Sequence, residues 1–423
     1  MRLFVRRVSR SFLFIVSVST TVFGQQSLTW QEVKTRFEAA NPTLSAARDN
    51  IAESRAEEIT AYLRPNPEFG LTADGTQIYP HAGVWTPLSG TFYSPSFSYL
   101  HEREHKRELR LESAKQTTEV TISQYADQER GMVFNLRNAF VQALQAKAVL
   151  QNANDNLAYW DRELRINKDR WKAGDEAEVD YDRLLLQRAQ FESDYETAIV
   201  NVRTAKITLL QMLNDRTPIE KFDIEGAFDY TNDMKPLEEY RHIALANRPD
   251  LKAAVQSIDL ARTNYQLAVA NGSADPTFGV WYTHNGSYNN PDAFNTIGLS
   301  VSIPLRIFDR NQGEKARTKI DIARNEKLRD AAQAQVFSDV DSAYVTLQSE
   351  LNLLRPYKEQ YIGLATAVRD KVAFAYQRGG ASLLDYLDAE KAFRDTRLAY
   401  INLVGSYLTA AAQLNMAVGY EVL

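Results

Sequence analysis

Cysteine is absent from the 423 residues. Disulfides, thiolate metal sites and a lipid-modified N-terminal cysteine are therefore excluded. Long apolar runs are missing as well: no stretch past the N-terminus reaches the ~20 residues that a spanning helix needs. If the chain crosses a bilayer, it must do so with strands. Nucleotide-binding glycine loops, serine nucleophile elbows and redox pairs do not occur. The expectation is a protein that is not an enzyme, holds no cofactor, and depends on a partner for any energy it uses. Proline is absent from Ser96 to Thr217, and only two glycines, Gly131 and Gly174, fall there. So long a stretch without breakers leaves little room for loops.

That stretch carries a helical pattern. Leu136, Ala139, Ala143, Ala146, Leu150, Ala153, Leu157, Trp160 and Leu164 recur at alternating gaps of three and four. The spacing is a heptad seam, the mark of a left-handed coiled coil. It breaks at Lys172-Ala173-Gly174-Asp175, where glycine supplies a left-handed turn, and resumes from about Val179 to Leu213. A long helical hairpin is predicted. Its first arm, His101 to Trp171, would run about 105 Å at ~1.5 Å per residue. A rod of that length spans distance rather than filling a core.

The N-terminus reads as a secretory signal over residues 1–24. Arg2, Arg6, Arg7 and Arg10 precede a short apolar core, Ser11 to Val22, and Val22-Phe23-Gly24 is a plausible cleavage site. Removing those four arginines takes the formal charge from −5 to about −9. An acidic exported chain is a poor nucleic-acid binder.

Beyond the signal, Leu28 to Ala40 has helical character, with Thr29 as N-cap and Glu32 completing a capping box. Asn41-Pro42 interrupts, and a second helix follows to Leu63. Two stretches of strand character come next, 68–74 and 92–100, flanking a Gly- and Pro-rich loop. The order then repeats. Asn41-Pro42-Thr43-Leu44 matches Arg248-Pro249-Asp250-Leu251, Asn66-Pro67-Glu68-Phe69-Gly70 matches Asp275-Pro276-Thr277-Phe278-Gly279, and Trp171, Gly174, Asp180 and Tyr181 match Tyr376, Gly379, Asp385 and Tyr386. The first repeat is assigned to 25–222, with its hairpin over 101–214. A linker covers 223–235. The second repeat is 236–423, with strands at 277–284 and 296–304 and a hairpin over 310–418. Its seam reads Val340, Tyr344, Leu347, Leu351, Leu354, Lys358, Tyr361, Ala365, Val368, Val372 and Ala375, with Pro356 expected to kink the rod.

Four strands with one apolar and one small or polar face cannot close a barrel alone, so an oligomer is expected. Their length suits a tilted bilayer crossing. Trp85, Tyr93, Tyr99, Trp281 and Tyr282 are candidates for interfacial belts.

The two-fold repeat, Arg248-Pro249-Asp250-Leu251, the run Ile303-Pro304-Leu305-Arg306-Ile307-Phe308-Asp309-Arg310-Asn311-Gln312-Gly313 and the turn Gly379 to Ala389 resemble the TolC family of outer-membrane efflux proteins. The resemblance implies a mainly α fold with a membrane β part. Three chains would make a twelve-stranded barrel in the outer membrane, continued by a helical tunnel across the periplasm. It implies the passive exit duct of a tripartite system, with an adaptor and an inner-membrane pump, of the resistance–nodulation–division type, as partners. The 304–313 run is similar to the cobalt–zinc–cadmium resistance branch. A type I secretion or multidrug duct is the alternative cargo reading.

The same resemblance places a periplasmic gate on Asp385, Asp388, Asp180 and Tyr376. It gives Gly174, Asp175, Gly379, Gly380 and Ser382 to the hairpin tips and adaptor docking. Ala381 stands where the family pattern has a basic residue. Read without the resemblance, the aspartates are helix N-terminal acids and solvated charge. His101-Glu102-Arg103-Glu104-His105 fits the zinc-hydrolase pattern literally. It sits where a strand becomes a rod and lacks a third ligand, so no metal site is assigned. An exported zinc peptidase or a periplasmic adaptor are the competing classes.

Overall fold

The computed structural model describes residues 26–80, 82–88, 90–231, 233–285 and 294–422. The signal expected over 1–24 lies outside them. The elements in order are β1 (Gln26–Leu28), α1 (Trp30–Ala40), α2 (Pro42–Tyr62), β2 (Glu68–Asp74), β3 (Phe92–Leu100), α3 (Lys106–Ala173), α4 (Glu178–Met212), β4 (Phe222–Ile224), α5 (Leu237–Asn247), α6 (Pro249–Ala270), β5 (Thr277–Asn285), β6 (Asn295–Ser302), α7 (Gln312–Pro356), α8 (Ile362–Gln377) and α9 (Leu383–Val418). The fold is mainly helical with two small sheets.

Helix starts follow their capping chemistry. The Thr29 hydroxyl accepts from the Glu32 N–H, while the Glu32 carboxylate accepts from the Thr29 N–H at 2.8 Å. Asn41 caps α2 by accepting from the Thr43 and Leu44 amides at 3.0 and 3.1 Å. Each contact satisfies an amide that the first helical turn leaves orphaned.

β2, β3, β5 and β6 form one antiparallel sheet in that order. Register puts Phe69 opposite Phe97, Leu71 opposite Pro95, Phe97 opposite Val280, Val280 opposite Leu299, and Tyr282 opposite Ile297. All lie on one face, and Leu299 is 80% exposed there. The other face pairs Gly70 with Ser96, Gly279 with Ser300, and Thr283 with Thr296. An apolar outside on strands only seven to nine residues long is the pattern of a lipid-facing wall. β2 and β6 are open edges within the chain. One aromatic departs from the interfacial expectation. Trp281 sits mid-strand on the small-residue face, lying against Gly298, where a Cβ would come within 2.2 Å of the indole. It lines the polar wall rather than a belt.

α3 is 68 residues long, about 102 Å at ~1.5 Å per residue. It starts five residues later than the sequence pattern suggests. His101 to His105 are not helical: Glu104 and His105 take left-handed φ of 57° and 54° and turn the strand into the rod. The second hairpin likewise begins at Gln312, after Asn311 with φ 59°. These left-handed positions recur through the internal repeat: His105 with Asn311, Gly174 with Gly379, Asn214 with Gly419. The zinc-hydrolase pattern is thus spent on a corner. Glu102 pairs with Arg110 at 2.9 Å, and the adjoining Lys106, 3% exposed, binds Asp275 at 2.5 Å. Among the described residues no group of three or more His, Cys, Asp or Glu is placed to hold a metal.

Pro356 produces a change of register rather than a simple kink. A π-helical turn, Tyr357–Tyr361, follows it directly. The wider turn absorbs an extra residue. The expected seam positions Tyr361 and Val368 are each 44% exposed. The expected Ala365, Val372 and Ala375 stay half-buried, and Ile362, Thr366, Arg369, Ala373 and the buried Tyr376, each one position on, share the packed face.

Three cores result. One joins α5, α7 and α9 through Tyr240, Val340, Leu347 and Leu414. A second joins α1, α3, α4 and the β1/β4 pair through Phe37, Leu136, Phe140 and Ile224. β1 and β4 pair in parallel, which ties Ile224, at the start of the expected linker, into a core together with Phe222. The third lies near the hairpin tips. Arg248, from the repeated Arg-Pro-Asp-Leu segment, is 2% exposed at its side chain and ties Asp250 (2.5 Å), Asp339 (2.7 Å) and the Ala417 carbonyl (3.2 Å) together.

Candidate functional site at the hairpin tips

Each hairpin reverses through a left-handed glycine, Gly174 at φ 82° and Gly379 at φ 72°. The amides beyond them close onto the helix end: Asp175 N–H to the Arg170 carbonyl at 2.9 Å, and Gly380 N–H to the Ala375 carbonyl at 2.8 Å. A side chain at either glycine would be strained. Gly380 itself has no left-handed φ. Asp175 is exposed at the first tip.

Ser382 and Asp385 form a capping box that opens α9. The Asp385 carboxylate accepts from the Ser382 hydroxyl at 2.7 Å and from its N–H at 3.1 Å. Those bonds hold the carboxyl below its ordinary range. Asp385 is therefore an ionised, exposed acid with a helix-starting job. Asp388, one turn on, is exposed, and Asp180 lies 3.4 Å from Arg183. Of the sequence-assigned gate residues, Tyr376 differs most from the others. It is 6% exposed, in the last turn of α8. Its ring stacks on Tyr386 with centroids 5.0 Å apart. Its hydroxyl reaches across to the first hairpin, donating to the Glu176 carboxylate and to Asn167 Oδ1 at 3.3 Å. Arg170 completes the bridge, 3.1 Å from Glu176 and over the Tyr376 ring. Burial, and then the Glu176 contact, raise the phenol above its ordinary value. Tyr376 and the first tip are thus brought together, while Asp385 and Asp388 stand apart on the exposed surface.

Behind the tips lies a cluster that the sequence reading missed. Trp160 and Leu164 of α3, Leu184 and Phe191 of α4, Tyr376 of α8 and Leu383 and Tyr386 of α9 pack as one core. Trp160 stacks on Phe191 at 5.2 Å. Two carboxylates are sealed beside it, Glu163 and Glu390, each 7% exposed. Tyr159 and Tyr386 hydroxyls meet at 3.1 Å among them. A signal was available: Leu383, Tyr386, Glu390 and Phe393 are spaced three, four and three, which puts Glu390 on an apolar seam.

Comparison with known proteins agrees with this geometry. Residues 241–420 match the family described as outer membrane efflux protein. Outer membrane protein TolC of Vibrio cholerae is 22% identical, covering 89% of this chain and 86% of its own. The cobalt–zinc–cadmium resistance protein CzcC of Cupriavidus metallidurans is 21% identical, covering 90% and 87%. The crystal structure of CusC superposes with a TM-score of 0.78 at 16% identity over 92% of each chain. An apolar-faced sheet joined to periplasmic rods defines an outer-membrane channel protein. Within that class, residues 241–420 carry the efflux-protein family match, and over most of its length the chain is similar to TolC-family outer-membrane proteins.

Proposed function

We propose that three copies of this chain close into one duct, β6 of each joining β2 of the next. The observation that carries this is the sheet itself. It has an unbroken apolar face, a small and polar opposite face, and two unpaired edges. An exposed hydrophobic edge strand that stays unpaired is an aggregation hazard, and closure removes it. The duct is passive, conducting from an inner-membrane pump of the resistance–nodulation–division type through a periplasmic adaptor. Gly174, Asp175, Gly379, Gly380 and Ser382 form the surface that meets the adaptor. Asp385, Asp388 and Asp180 supply negative charge at the mouth, and Tyr376 holds the two hairpins closed through Glu176. Heavy-metal cations are the proposed cargo, supported by the 304–313 run and by the CzcC relative. A carboxylate ring suits them.

Outer-membrane fractionation tests the assembly: an SDS-resistant trimer is expected, and a soluble periplasmic monomer rejects it. In planar bilayers, Asp385→Asn with Asp388→Asn lowers cation preference; unchanged selectivity removes both from the mouth. A deletion strain challenged with metal salts, dyes and antibiotics identifies the cargo, and sensitivity to antibiotics alone would favour the multidrug reading. His101→Ala with His105→Ala leaves transport intact and costs no peptidase activity; loss of a peptidase activity would favour the exported-peptidase reading.

A further inference from the structure

Glu163 and Glu390 stand in surroundings that suit neither a salt bridge nor bulk water. They come from different hairpins, α3 and α9. One Glu390 oxygen is buried with no hydrogen-bond partner. The groups that face Glu390 can be named element by element. From α3 come the Tyr159 hydroxyl and the Glu163 carboxylate, from α8 Arg369 and Asp370, and from α9 itself Tyr386. Arg369 is engaged elsewhere, bonded to Asp370 at 2.7 Å and stacked over Phe393 at 4.0 Å. α4 contributes apolar Leu184 and Phe191, while its Arg188 turns to Asp161 and Glu192. Glu390 thus has one facing guanidinium, Arg369, already shared with Asp370, while Glu163 has the charge of its neighbour Arg162 on α3 and no salt bridge.

We propose that Glu163 and Glu390 form a proton-operated latch between the two hairpins. Protonated, they let the aromatic seam pack and hold the tips together. Ionised, they place negative charge in that seam and the tips part. This deepens the duct reading by naming how its mouth is regulated, and it rests on that reading only for the effect on flow.

The same burial sets the direction in which the two acids shift. Burial pushes Glu390 up to about 7, with Tyr159 and Arg369 pulling it down and Glu163 and Asp370 pushing it further up. Burial raises Glu163 as well. A carboxyl raised in the folded state stabilises the packed seam below its unfolded value. That contribution is lost as pH rises through the folded value. The closed form is therefore favoured in acid and weakened above neutrality. Each pH unit changes the ratio of protonated to ionised Glu390 about tenfold.

The lack of cysteine gives a clean test. Cysteines placed at Lys172 and Arg378, beside the two tips, are spin-labelled in the full chain, diluted with unlabelled chain so that each oligomer carries one labelled copy. Inter-label distance is read from about pH 5.5 to about pH 8.5, the range over which a carboxyl raised to neutrality changes charge. A single short distance is expected in acid, with a longer population growing through neutrality. Glu390→Gln, a neutral isostere, should keep the short distance throughout. Glu163→Gln should move the midpoint to lower pH by removing a like charge. A distance independent of pH in the natural sequence overturns the latch, as does a Glu390→Gln response equal to the natural one or an unmoved midpoint in Glu163→Gln. Ion current through the same samples separates the two readings. A moving distance without conductance keeps the latch and rejects the duct, whereas conductance with a fixed distance does the reverse.

Discussion

Leu299 offers the sharpest test of where the sheet lies. Its side chain is 80% exposed in the protomer, flanked along β6 by Ile297 at 76% and Val301 at 61%. On a water-facing surface, Leu299→Arg would change stability by no more than about 0.5 kcal/mol. Near the middle of a bilayer the same change costs about 2–4 kcal/mol per chain. Three copies in a closed ring would multiply that to about 6–12 kcal/mol. Per chain the folding equilibrium falls about 30- to 700-fold, at roughly 1.4 kcal/mol per decade. Ser300, the next residue, faces the opposite wall beside Gly279. Ser300→Arg there meets water and should cost less than about 1 kcal/mol. The assay is urea-titrated refolding into lipid vesicles, read by heat-modifiable gel mobility. If Leu299→Arg refolds as well as the natural chain, or if Ser300→Arg is equally damaging, the assignment of lipid and water faces is wrong.

Other consequences follow from the tips and the cores. Ser382→Ala removes the α9 cap and should cost about 1 kcal/mol, seen as faster amide exchange over 383–387. Because Asp385 is held below its ordinary value, the capping bonds are fully present above the unfolded carboxylate value; they are lost as pH falls through the lowered one. Tyr376→Phe keeps the ring stack on Tyr386 but removes the hydroxyl bonds to Glu176 and Asn167, leaving Glu176 to Arg170 alone. A loss of about 1–2 kcal/mol at the tip and a raised basal conductance are expected, and a silent variant would remove this bridge from the closure. Arg248→Ala leaves Asp250 and Asp339 without their buried partner and should lower stability by about 3 kcal/mol in denaturant titration.

The fold class was legible because its signals are periodic. Heptad spacing in α3, alternation in β6 and the repeat of Asn66-Pro67 as Asp275-Pro276 each depend on residue type at fixed intervals. The features that escaped depend on local geometry instead. Proline at 356 announces a break, but whether the backbone answers with a kink or a π-helical turn is decided by neighbouring helices. The packed face of α8 consequently widens to take in positions one residue beyond the extrapolated seam, Tyr376 among them. β1 and β4, three residues each, are too short to show any period. Glu390 passes without notice in the sequence because glutamate is usually solvated; only its packing against α3 makes it buried. Tyr376 was picked out by resemblance, yet its contacts through Glu176 and Asn167 link residues about 200 positions apart, which no local pattern records.

The left-handed residues carry a further implication for length. They cut the two hairpins into nearly equal measures: His105 to Gly174 and Asn311 to Gly379 differ by a single residue, and Gly174 to Asn214 equals Gly379 to Gly419. Both hairpins therefore reach the same depth below the sheet. An insertion in one arm pair alone would make that hairpin protrude by about 1.5 Å per residue and spoil the level rim that a flat partner needs. Elongated descendants of this chain would have to lengthen both halves in step.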